Sequence, residues 1–141
     1  MLRSAAPHPP ITVSSLDLAR LERLLELPAY RDQDAAQRLG DELIRANILP
    51  PSQMPPDVVT MNSRVTFIEE ISGKEHELTL VYPKDASNAE NRVSVLAPIG
   101  AALLGLSIGQ SIDWNTPDGR PLLVRVATIQ YQPEASGDLS L

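Results

Sequence analysis

Cysteine is absent from this chain of 141 residues, which excludes disulfides, thiolate metal sites and cysteine nucleophiles together. Histidine is nearly as scarce: His8 lies near the amino terminus and His76 on the polar side of an expected strand. Neither has a second ligand at metal spacing, so both read as surface residues, and no metal or cofactor is expected. Aromatic side chains amount to one Phe, one Trp and three Tyr, too few to furnish an obvious ring-lined pocket. Positive charge is in deficit, with 12 Lys and Arg against 18 Asp and Glu and a formal net charge of −6. No broad phosphate-binding surface follows from that balance, and direct nucleic-acid binding is expected to be weak at most. No apolar run approaches the roughly 20 residues that a membrane helix needs, and residues 1–10 have no apolar core of a signal peptide. A cytoplasmic protein with no membrane partner is expected.

What is present falls into two halves of different period. Met1 to Pro10 reads as a disordered leader, and Ile11-Thr12-Val13 as a short extended entry. Ser14 with Asp17 three residues on resembles a capping box, the shorter Asp standing for the usual Glu. Leu18, Leu21 and Leu25 follow at helical spacing, widened by Leu24, until Pro28 stops the helix. A second helix begins near Asp32 or Asp34 and places Ala36, Leu39, Leu43 and Ala46 on one face. The spacing predicts a short antiparallel helical hairpin of coiled-coil type within residues 11–49, its helices running from about Ser15 to Leu27 and Asp34 to Ala46. Gly40 inside the second helix weakens it by up to about 1 kcal/mol, so packing must hold it.

Residues 50–56 carry four prolines, which sustain neither a helix nor a central strand, and read as a stiff linker. Beyond it the period drops to two. Val65 and Phe67 alternate, with Ile71 as a candidate third; Leu78, Leu80 and Tyr82 share a face; Val93 and Val95 pair. After a short helix come Ser111 to Asn115, a turn at Thr116-Pro117-Asp118-Gly119, and a strand from Leu122 to Tyr131. Residues 57–132 thus read as a five-stranded antiparallel sheet with one helix, an α+β arrangement, and 133–141 as a tail.

The short helix lies in Ala97-Pro98-Ile99-Gly100-Ala101-Ala102-Leu103-Leu104-Gly105-Leu106-Ser107-Ile108-Gly109. Pro98 suits the first helical position and Gly105 the left-handed residue that closes it. Leu103 and Leu104 read as core. The glycines superficially suggest a phosphate loop, but no Lys-Ser/Thr follows and no βαβ unit surrounds them. Ser63, Ser94 and Ser111 have no paired His. Catalytic machinery is missing, and the chain reads as a non-enzyme.

Strand, P-x-G-A-A-L-L-G-x-x-x-G, strand, turn, strand resembles the carboxy-terminal domain of the Gre transcript-cleavage factors. Met54 to Val65, Leu80-Val81-Tyr82-Pro83, Leu24 to Tyr30 and Tyr131-Gln132-Pro133-Glu134-Ala135 are similar to one branch of that superfamily, the regulators of nucleoside diphosphate kinase. The resemblance implies an FKBP-like sheet domain that docks on RNA polymerase, at the coiled-coil rim of the secondary channel on the largest subunit. It assigns that grip to Leu96, Ala97, Pro98, Ile99 and Gly100. This chain departs from the Gre pattern at Ala97, where Gre has Ser, and at Gln110, where Gre has Asp. Thr60 to Arg64 reads either as a second contact strip or as a polar bend.

In Gre factors acidic groups at the tip of a long coiled coil help hold a catalytic magnesium ion. Here Glu26, Tyr30, Asp32 and Asp34 occupy the tip, but each helix spans only roughly 20 Å. The carboxylates read as helix-start and turn residues, and no cleavage role is carried over. The expected function is that of a polymerase-binding regulator which competes with Gre-type factors without stimulating cleavage and alters nucleoside diphosphate kinase levels indirectly. The alternative is an FKBP-like peptide-binding, isomerase or chaperone module. A monomer is expected, with Leu16, Leu24 and Leu27 as the off-stripe residues through which a homo-oligomer would form.

Overall fold

The computed structural model describes residues 10–115 and 121–138. The expected leader, apart from Pro10, lies outside the described residues, as do His8, the turn at Thr116 to Gly119 and the last three residues of the expected tail. The architecture is α+β: a helical hairpin followed by a five-stranded sheet.

The hairpin begins where its sequence says it should. Ser14 caps α1 (Ser15–Glu26), its hydroxyl accepting the Asp17 N–H at 3.0 Å. The Asp17 carboxylate is buried and accepts from the Met61 N–H at 3.1 Å. Pro28 follows one residue beyond the Leu27 cap, and α2 (Asp34–Ile44) returns antiparallel. Leu21, Ala36, Leu39 and Leu43 are buried, so each stripe covers the other and the β half as well. With 12 and 11 residues the helices span about 18 and 16 Å, slightly shorter than expected.

An element that the sequence reading missed ties the hairpin down. Residues of the extended entry form β1 (Thr12–Ser14), which pairs in parallel with β2 (Asn47–Leu49) beyond α2. From β1, the Thr12 N–H donates to the Gly105 carbonyl at 3.2 Å, while the Gly105 N–H donates to the Val59 carbonyl at 2.9 Å. Gly105 has φ +81°, and a Cβ there would stand 2.6 Å from the Ile11 Cβ. Only glycine fits both the left-handed helix end and this crossing of segments.

The sheet has the order β5-β4-β3-β7-β6. Strands β3 (Arg64–Glu69), β4 (Lys74–Val81), β6 (Ser111–Asn115) and β7 (Pro121–Tyr131) form the expected antiparallel array. The edge strand β5 (Arg92–Ser94) differs: it joins β4 in parallel, Thr79 opposite Arg92. Pro83 follows β4, and turns at Pro83–Asp85 and Asn88–Glu90 bring the chain back to Thr79, so that β5 runs beside the last three residues of that strand. A tight hairpin is therefore not available, and the strand direction repeats. Strand β7 has register shifts against β3 at Arg64/Val65 and Thr66/Phe67, irregularities that increase local twist.

Helix α3 (Pro98–Leu103) crosses one face of the sheet and contributes buried Ala101, Ala102 and Leu103, with Leu104 beside them. One hydrophobic cluster joins Val13, Leu21 and Leu39 of the hairpin side to Val65, Leu80, Leu103 and Trp114 of the sheet side. The guanidinium of Arg38 on α2 lies 4.5 Å from the Trp114 ring on β6. Ile71 corrects the expected alternation. It is 66% exposed because β3 has ended at Glu69 and the chain is already turning.

The proline-rich segment is pinned rather than loose. Met54 is buried, and the Gln132 side chain, itself buried, donates to the carbonyls of Pro55 and Val58 at 2.7 and 2.8 Å. Its amide oxygen accepts the Ala135 N–H at 3.1 Å, which also orders the start of the tail.

Candidate functional site

The segment from Leu96 to Gly100 divides by burial. Leu96 is buried, and Gly100 is packed so closely that a Cβ would meet the Ser94 carbonyl oxygen at 2.2 Å. Those two hold the backbone in place; they present little to a partner. Ala97, Pro98 and Ile99 remain half-exposed on the outer side of the first turn of α3. Pro98 occupies the first helical position as expected, and Ala97 provides no side-chain cap. Ser94 instead folds the approach to the helix: its hydroxyl accepts the Leu96 N–H at 3.0 Å and its carbonyl accepts the Ala97 N–H at 3.0 Å.

Ile99 also forms one wall of a groove of about 360 Å³ whose other walls include Phe67, His76, Leu78, Arg92 and Val93. His76 does not lie on the polar side of β4. It stands opposite Phe67 in the β3–β4 register and stacks on that ring with centroids 5.3 Å apart. Alternation along β4 places it on the same face as Leu78 and Leu80, at the end where the core no longer covers the sheet. The sequence reading missed Phe67, His76 and Arg92 as groove residues: alternation from Leu78 already gives His76 its face, but strand register is needed to bring Phe67 and Arg92 beside it.

The other expected contact strip is mostly internal. Thr60, Met61 and Ser63 are buried, whereas Asn62 is half-exposed and Arg64 exposed. The Thr60 N–H donates to the Ser63 hydroxyl at 2.9 Å, and the Thr60 hydroxyl donates to Glu134 at 2.8 Å. Met61 N–H donates to Asp17 Oδ2 at 3.1 Å. The polar bend thus gathers the hairpin, the first long strand and the tail at one point. Burial in this junction pushes the Asp17 carboxyl up to about 7; the Met61 N–H opposes the rise, Glu134 adds to it, and Arg20 opposes it. Gln110 is a turn residue, its side-chain oxygen accepting the Ser107 N–H at 2.9 Å.

At the hairpin tip Glu26, Asp32 and Asp34 are exposed and Tyr30 is half-buried. Asp34 opens α2, where its charge suits the helix dipole, and Arg31 approaches Asp32 at 3.9 Å. No cluster of three or more His, Cys, Asp or Glu able to hold a metal ion exists among the described residues. Among the off-stripe leucines, Leu24 and Leu27 line a separate cleft between α1 and the turn after β4. No helix among the described residues is long and apolar enough to cross a membrane.

Comparison with known proteins agrees with this geometry. Residues 54–131 match the family model described as transcription elongation factor, GreA/GreB, C-term, and residues 9–49 match that of the Rnk N-terminus. The regulator of nucleoside diphosphate kinase of Escherichia coli (strain K12) is 47% identical over 134 residues, covering 95% of this chain and 98% of that protein. Transcription elongation factor GreA of Geobacillus kaustophilus is 32% identical over 110 residues, covering 74% of this chain and 69% of that one. Among solved structures, a prokaryotic transcription elongation factor GreA/GreB from Nitrosomonas europaea superposes with a TM-score of 0.70 at 47% identity, covering 87% of this chain and 99% of that chain. A short helical hairpin, a Gre-type sheet and both family models in their proper order make one consistent set: the chain belongs to the regulator of nucleoside diphosphate kinase family, a branch of the GreA/GreB transcription elongation factors.

Proposed function

We propose that the protein is a non-enzymatic transcription regulator of the cytoplasm that docks on RNA polymerase at the secondary-channel rim. Ala97, Pro98 and Ile99 make the contact, and Leu96 and Gly100 fix the backbone that presents them. The observation that carries this reading is the position of Ile99, half-exposed at the mouth of the groove that also contains Phe67, His76 and Val93. An apolar edge beside a shallow cavity is the kind of surface that receives a side chain from a partner.

The hairpin sets what docking can achieve. A helix of about 18 Å partly fills a channel entrance but stops short of an active centre that a much longer Gre-type coiled coil reaches. The exposed tip carboxylates Glu26, Asp32 and Asp34 serve as turn and helix-start groups in this reading, with no part in holding a catalytic magnesium ion. The protein therefore competes with Gre-type factors and does not stimulate transcript cleavage, and its influence on nucleoside diphosphate kinase levels is indirect, through transcription.

A pull-down with core polymerase tests the docking. Wild-type protein is expected to be retained and to be displaced by excess Gre factor, whereas Ile99→Asp is expected to lose retention while keeping its fold. Equal retention of both proteins would reject the site.

A further inference from the structure

The cleft between α1 and the turn after β4 takes no part in the docking reading. It encloses about 670 Å³, within the range of small-molecule sites. Arg23 on α1 and Lys84 on the turn both line it. Both are exposed, and among the described residues neither is paired with a carboxylate within ion-pair distance. Two unpaired cations on one cleft stand out in a chain with a net charge of −6. Arg20 also lines the cleft but already has an interaction partner within the protein.

The rest of the lining is chosen for a flat, partly polar ring. Tyr30, Tyr82 and Leu24 supply aromatic and apolar walls, and both Tyr30 and Tyr82 are half-buried and so held in place. Asn62 sits in the left-handed region at φ 68°, and its side-chain amide bonds to no other described residue, leaving a donor and an acceptor for a ring edge. Asp85, beside Lys84, offers an acceptor for a sugar hydroxyl.

We propose that this cleft binds a mononucleotide, its phosphate held between Arg23 and Lys84 and its base against Tyr30, Tyr82 and Asn62. Two cations match the charge of one phosphate monoester near neutral pH. An acidic peptide would use the same cations, but it has no need of a free amide in a cleft that two tyrosines also line. Strand addition is also closed to it there, because the outer side of β4 is already paired with β5.

The test is a heteronuclear NMR titration of the full chain with AMP, adenosine and inorganic phosphate in parallel. AMP is expected to give saturable shifts at Leu24, Tyr30, Asn62 and Lys84, with adenosine and phosphate each binding more weakly. The Arg23→Glu, Lys84→Glu double variant changes only exposed residues, and it is expected to lose at least about tenfold in AMP affinity. No saturable shift with AMP would overturn the proposal, as would equal affinity for phosphate alone or an unchanged affinity in the double variant. Shifts at these residues from an acidic peptide and none from AMP would also overturn it. Polymerase retention is read separately, through Ile99→Asp, so failure here leaves the docking reading standing and failure there leaves this one.

Discussion

The carboxylate of Asp17, in the first turn of α1, accepts the backbone N–H of Met61 at 3.1 Å across 44 residues of sequence. This bond fastens the hairpin to the polar bend from which β3 departs. Its acceptor is 2% exposed, and burial together with the nearby Glu134 keeps the carboxyl protonated up to about pH 7.

The pH dependence of stability follows. Unfolded Asp titrates near 3.9 while folded Asp17 titrates near 7, so between those values the folded state binds more protons than the unfolded. Stability from this group is full below about pH 4 and is lost as pH rises through 7, at up to about 1.4 kcal/mol per pH unit. Asp17→Asn keeps an acceptor for Met61 and removes the proton. Urea melts from pH 4 to 8 are expected to show a flatter pH profile for the variant than for wild type; parallel profiles would contradict the assignment.

Gly105 and Gly40 are expected to respond oppositely to alanine. At Gly105 the left-handed backbone alone costs about 1–2 kcal/mol, and the contact at 2.6 Å with Ile11 adds to it. At Gly40 an added Cβ meets nothing closer than Leu25 Cδ1 at 3.8 Å, so the variant gains up to about 1 kcal/mol of helix propensity. Thermal melts of the two variants check both signs.

Gln132→Ala is expected to cost roughly 2–4 kcal/mol, because one buried amide donates twice and accepts once and its partners are left without replacements. Hydrogen exchange should show faster opening at Val58 and Ala135. Unchanged exchange there would mean that the proline-rich segment is held by other contacts.

Arg38→Gln is expected to destabilise by about 1 kcal/mol through loss of the cation over the Trp114 ring. Trp114 is the sole tryptophan, so its fluorescence reports the same change directly.

Local chemistry in the sequence foretold local structure well. Ser14, Pro28, Pro98 and Gly105 mark element ends through backbone properties that act within a few residues, and each marks the end it should. Alternation located the strands for the same reason. What stayed hidden depends on distant pairing. The β1–β2 ribbon joins Thr12 to Asn47, β5 runs parallel because of the path its loop takes, and only strand register sets His76 opposite Phe67, although its face already follows from alternation with Leu78 and Leu80. The segment proposed for docking is visible in the sequence as a motif, yet its division into buried Leu96 and Gly100 and half-exposed Ala97, Pro98 and Ile99 depends on packing such as Ser94 lying under Gly100. Arg23, Lys84 and Asn62 carry no linear signal at all; only the packing of α1 beside the turn after β4 puts them on one cleft.

The most direct test of the account is a transcript-cleavage assay on a backtracked elongation complex, with the protein added alone and then together with GreA. The account expects no shortened RNA from the protein alone and suppression of GreA-stimulated cleavage as its concentration rises. Shortened RNA from the protein alone, or GreA activity unchanged at a large excess, would contradict it.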